Sequence, residues 1–171
     1  MTTEPLYGEG DWIVHSRYGV GRVQGEDTKK LNGKERTFLR VKTNNGEFWL
    51  PVNKTDVDHI RPVALKSTFQ DILATLCLPP DELSDNYRNR QNHISEVLDR
   101  GALEEIARLI RDLNARQYYK KLTMNEQEIL GRLKKRFVEE WIISAEIDPQ
   151  DASRKLEEVL LSSARKVNTE K

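Results

Sequence analysis

The feature that most constrains this chain is a change of periodicity near residue 65, where short glycine-punctuated β-type runs give way to long apolar stripes at helical spacing. Seven of the nine glycines lie before that point: Gly8, Gly10, Gly19, Gly21, Gly25, Gly33 and Gly46. Trp12-Ile13-Val14-His15 reads as a strand, Ser16-Arg17-Tyr18-Gly19 as a turn, and a second strand opens at Val20. Two Asn-Gly pairs, Asn32-Gly33 and Asn45-Gly46, suit the positive φ angles of type I′ turns. Both are flanked by alternating apolar residues such as Leu39 and Val41 or Phe48, Leu50 and Val52, so both predict β-hairpins. About five short strands in about sixty residues make a weak open sheet, so the segment is expected to curl into a small SH3/Tudor-like β-barrel.

Beyond residue 65 the punctuation is that of helices. Ser67-Thr68-Phe69-Gln70 reads as a capping box opening a helix that stops before Pro79-Pro80. Ile94, Val97 and Leu98 form a stripe ended by Gly101, and Leu103, Ile106, Ala107, Ile110 and Leu113 form the next. Thr123-Met124-Asn125-Glu126 is a second capping box, followed by Ile129, Leu130, Leu133, Phe137, Trp141 and Ala145 on one face of a long helix. Asp148-Pro149 reads as an N-cap with proline at N1, opening a last helix through Leu156, Val159 and Leu160. The expected fold class is therefore α+β with two domains, a β-barrel over 1–64 and an all-α bundle of about five helices over 65–171.

Charge excludes some functions and localises others. Across 171 residues, 28 Lys and Arg offset 28 Asp and Glu, which argues against a surface basic enough to bind nucleic acid unaided. Divided by position, residues 88–136 carry twelve basic residues against seven acids, whereas 63–87 and 137–171 are each net acidic. Within the basic middle, Tyr87-Arg88-Asn89-Arg90-Gln91-Asn92 combines an aromatic ring, two guanidinium groups and three amides. That mixture suits phosphate contact with an aromatic wedge, while a solvated helix face is the plainer alternative. Arg132, Lys134, Lys135 and Arg136 add a second basic cluster. In the first half, Trp49 alternates with Phe48 and Leu50, so it points outward if they point in and becomes a candidate protein-binding anchor.

No enzyme chemistry emerges from the inventory. The three histidines (His15, His59, His93) lack partners at metal-ligand spacing, so no metal site is expected. Gly19-Val20-Gly21 is half a nucleotide fingerprint, but Val23 and Gln24 follow where a phosphate loop needs glycine and a helix start. Glu104-Glu105 and Glu139-Glu140 are adjacent on helices, where neighbouring side chains diverge. Cys77 is the only cysteine and lies in an apolar run. No cofactor or small-molecule substrate is expected. No apolar run approaches the ~20 residues of a membrane span, and Met1-Thr2-Thr3-Glu4-Pro5 shows no secretory pattern, so a cytoplasmic protein is expected.

The run from Gly10 through Val23, GDWIVHSRYGVGRV, followed by Leu31-Asn32-Gly33, Phe38-Leu39 and Leu50-Pro51-Val52, resembles the RNA-polymerase interaction domain of CarD-type bacterial transcription regulators. The transcription-repair coupling factor shares this module. Gly101, Ile110-Arg111-Asp112-Leu113, Leu122-Thr123-Met124-Asn125-Glu126 and the Leu156-to-Leu160 helix fall in the order of the CarD helical half. The resemblance implies a non-enzymatic regulator whose barrel docks on the polymerase β subunit and whose helical domain contacts promoter DNA at the edge of the melted region. It places polymerase contacts at Lys29 and Trp49, the latter where the family carries a basic residue. It places DNA contacts at Tyr87, Arg88, Arg90 and Arg132, with Tyr87 standing where the family carries the Trp wedge. An adaptor that binds polymerase or another protein and has lost the DNA contact is the alternative.

Overall fold

The computed structural model describes residues 7–52 and 59–169, so Met1–Pro5, on which the reading of the N-terminus rests, lie outside it. The chain divides into two compact units, residues 1–63 and 64–171, each with its own hydrophobic core.

In the first unit β1 (Trp12–His15), β2 (Gly19–Leu31), β3 (Lys34–Thr43), β4 (Gly46–Pro51) and β5 (Ile60–Pro62) form one antiparallel sheet in the order β4-β3-β2-β1-β5. Alternation decides the faces: Ile13, Val23, Leu39, Val41, Leu50 and Ile60 turn inward and are buried together. Gly21 is required for the tight curl, since a Cβ there would lie 2.6 Å from Val41 Cγ1. A bulge between Val23 and Gly25 bends the long β2 strand.

The first Asn-Gly pair behaves as the sequence predicts, with Asn32 at φ 53° and Gly33 at φ 77° between β2 and β3. The second hairpin forms with a different turn. Asn44 and Asn45 make the loop, Thr43 pairs with Gly46, and the Thr43 hydroxyl accepts from Asn45 N and donates to Gly46 O. A side-chain bond thus does what a left-handed asparagine would have done. In the β1–β2 turn His15 Nδ1 accepts the amides of Arg17 and Tyr18, so this histidine is structural.

The second unit is built from α1 (Lys66–Leu76), α2 (Tyr87–Arg100), α3 (Leu103–Tyr119), α4 (Met124–Ala145) and α5 (Pro149–Arg165), with a 3-10 turn over Lys166–Thr169. Helix α3 packs on the other four, and its stretch Arg111–Arg116 is buried at every position, the mark of a central helix. Thr123 and Glu126 form the capping box of α4, Asp148 caps α5 ahead of Pro149, and Gly101 ends α2 in the left-handed conformation. The capping box at Ser67 does not form. The amide of Ala64 donates to buried Glu140 and its carbonyl accepts from Ser144, so the chain turns at Leu65 and Ser67 already lies inside α1. Phe69, Phe137 and Trp141 form an aromatic cluster in the core, with ring centroids 5.4–6.2 Å apart.

Two glycines give opposite expectations in urea denaturation. Gly21→Ala is expected to lose about 1–3 kcal/mol through overpacking against Val41. Gly131→Ala, in an open position within α4, is expected to gain about 1 kcal/mol.

Candidate functional site

On the outer face of the sheet, opposite the core, Lys29 and Trp49 come together. Trp49 sits on edge strand β4 and is 40% exposed, while Leu50 is buried and Phe48 packs against the core, as alternation requires. Its indole Nε1 donates to Asp27 Oδ2 at 2.9 Å, and Lys29 Nζ stands 3.8 Å from the ring centroid. Asp27 and Lys29 are two apart on β2 and so share a face, which lets one carboxylate and one ammonium clip the ring from across β3. The sequence reading did not single out Asp27; its signal was the two-residue spacing to Lys29.

In the helical unit the four residues separate into two kinds. Tyr87 is the first residue of α2 and is 54% exposed, with Arg88 exposed beside it. Asn86 caps this helix by accepting from Asn89 N at 3.0 Å. Arg132 is exposed on α4, six residues beyond Glu126, and shares its side of the helix with Arg136. Burial and then the charge of Arg132 push the Arg136 pKa down. Of the same basic cluster, Lys134 pairs with Glu157 at 3.1 Å.

Arg90 is the correction. It is 5% exposed, because it occupies the same helical stripe as Ile94 and Val97, four and seven residues on from it at the spacing that faces the core. Its guanidinium pairs through Nε with Glu126, itself fully buried, and through Nη1 donates to Ser84 O at 2.9 Å and Asp85 O at 3.4 Å. Arg90 therefore does not belong to the surface that Tyr87 and Arg88 present.

Two further buried arginines hold the same connection between α1 and α2. Arg111 bonds Asp112 at 2.9 Å, Asp81 at 3.0 Å and the Thr75 carbonyl at 3.2 Å. Arg116 donates to Leu83 O at 3.2 Å and reaches Asp85, whose carboxylate also pairs with Lys120. The irregular segment before Tyr87 is thus fixed by arginine from α2 and α3. Among the described residues no group of three or more His, Cys, Asp or Glu is arranged to hold a metal, and no helix is long and apolar enough to cross a membrane.

Comparison with known families matches residues 7–64 to the CarD-like/TRCF RID domain and residues 71–157 to the CarD C-terminal domain. The chain belongs to the CarD family. Its first unit is the CarD module shared with the coupling factor, a Tudor-like fold, and its second is the CarD helical domain. CarD-family domains are interaction modules of transcription, and the first of them is of the RNA-polymerase-interacting kind. Lys29 and Trp49 fall in the former match; Tyr87, Arg88, Arg90 and Arg132 fall in the latter.

The buried carboxylates give the CarD helical domain a legible pH response. Burial alone would raise the Glu126 pKa, but the Arg90 guanidinium and the Thr123 amide outweigh it and hold the pKa below the ordinary glutamate value. A carboxylate depressed in the folded state contributes stability fully present above its unfolded pKa and lost as pH falls through the folded one. Asp112 has the opposite sign, because burial raises its pKa against the pull of Arg111. Urea midpoints taken from about pH 7 to about pH 3 are expected to fall less steeply for Glu126→Gln than for the native chain. For Asp112→Asn they are expected to fall more steeply.

Proposed function

We propose that this protein docks on the β subunit of RNA polymerase through Lys29 and Trp49, and that Tyr87, Arg88 and Arg132 contact promoter DNA at the edge of the melted region. In this reading residues 1–64 are the docking domain and 65–171 the DNA-contacting domain of a cytoplasmic, non-enzymatic regulator that stabilises the open promoter complex. The observation that carries the reading is the exposed Tyr87 beside Arg88 at the first turn of a capped helix. An aromatic ring packs or stacks against distorted base steps, and an adjacent guanidinium meets phosphate, without reading sequence.

The neutral charge of the whole chain fits this division of labour. A basic middle of modest excess binds DNA weakly and with strong salt dependence. Tethering to polymerase raises its local concentration to about the millimolar range, where a weak contact suffices. At the docking end, the clip of Asp27 and Lys29 holds the Trp49 ring in place before binding, which lowers the ordering cost of association.

A second reading has one specific observation in its favour. With Arg90 buried, the cationic surface beside Tyr87 is smaller than the sequence suggests, as suits an adaptor that docks on polymerase without touching DNA.

Two experiments separate the readings. Lys29→Glu combined with Trp49→Ala is expected to abolish co-purification with core bacterial RNA polymerase, and retention of polymerase would remove the docking proposal. Tyr87→Ala with Arg88→Ala is expected to shorten the lifetime of promoter complexes about tenfold, the scale of one lost stacking contact. An unchanged lifetime with docking intact would favour the adaptor.

A further inference from the structure

We propose that the buried Arg90–Glu126 pair is a positioning device that holds the ring of Tyr87 and the first turn of α2 against the start of α4. The inference rests on the DNA-contact reading of Tyr87. One guanidinium joins three parts of the fold: Glu126 in the first turn of α4, the Ser84 and Asp85 carbonyls that lead into α2, and the Tyr87 ring, 5.6 Å from its centroid. Gln91, the next residue, bonds Glu126 at 3.3 Å and Asn125 at 3.5 Å, so two successive residues of α2 tie it to the same turn.

Stability alone does not call for this pair. Buried ion pairs are commonly replaced by apolar residues of similar volume at little or no loss, and their best use is to specify one arrangement among several. Arginine suits that task, because its planar fork fixes direction as well as distance. Tyr87 sits at the first position of a helix, where ends fray, and more than half of its surface is exposed. Holding such a ring in one orientation lowers the ordering cost when it meets a base step. Glu126 meanwhile accepts the Thr123 amide at 2.8 Å, so the positioning contact and the cap of α4 share one carboxylate.

A double-mutant cycle separates positioning from mere stability. Arg90→Met with Glu126→Gln removes the pair but keeps aliphatic volume and a capping side chain, since glutamine also completes a capping box. Full-length protein is titrated with a fluorescent forked duplex at low salt, with and without Tyr87→Ala in each background. In the native background Tyr87→Ala is expected to weaken binding about tenfold; in the Arg90→Met/Glu126→Gln background, less than about twofold. An equal loss in both backgrounds would overturn the positioning role and leave the DNA contact standing. No loss in the native background would overturn the DNA contact and the positioning role together. If the double variant does not fold, Arg90→Lys takes its place in the same cycle, because it keeps the buried charge and loses only the fork.

Discussion

A carboxylate shielded from water must find its counter-charge inside the protein, and in the helical unit Glu126 finds it in Arg90. Much of the local architecture follows from that requirement. Because Arg90 faces inward to meet Glu126, the surface at the start of α2 is left to Tyr87, Arg88 and Asn89; because Glu126 also closes the cap of α4, that helix begins where the pair dictates. Arg111 and Arg116 apply the same chemistry along the central helix, where every position from 111 to 116 is buried. Their donors go to Thr75 O, Leu83 O, Asp81, Asp85 and Asp112, so an irregular segment gains the rigidity that a hydrophobic core of modest size does not supply.

Under the proposed function the two units meet the same need, an aromatic side chain held ready at the surface, by different means. In the barrel the ring is Trp49, and its holders, Asp27 and Lys29, are themselves at the surface and accessible to a partner. In the bundle the ring is Tyr87, and its holder is buried. The first arrangement lets the partner compete for the clip's charges. The second keeps the positioning group out of solvent and out of reach of salt.

Most of the fold was legible because it rests on local chemistry. Asn32-Gly33, the Thr123–Glu126 box, Asp148-Pro149 and Gly101 each act through their own backbone, and each acts as its residue type demands. The misreadings arise where a distant partner intervenes. Ser67 loses its capping role because Glu140 and Ser144, far along the chain, hold Ala64. Residue type and the family resemblance both point to Arg90 as a surface cation, although its spacing to Ile94 and Val97 places it on the buried stripe. Glu126 and Glu140 carry the same signal, each falling among the apolar positions of α4. Charge on an apolar stripe is thus information about a buried partner, and periodicity should have outranked residue type. Trp49 was read correctly for that reason, since strand alternation alone settled its direction.

The three tryptophans divide between the units in a way that has a spectroscopic consequence. Trp12 and Trp49 are partly exposed on the barrel, each beside a cationic side chain, whereas Trp141 is buried among Phe69 and Phe137 in the bundle. Emission from the barrel is therefore expected to be red-shifted and open to aqueous quenchers, and that from the bundle blue-shifted and shielded. One emission spectrum carries a separate signal for each half of the molecule, so binding events at the barrel and loosening of the bundle can be followed in the same sample without any label.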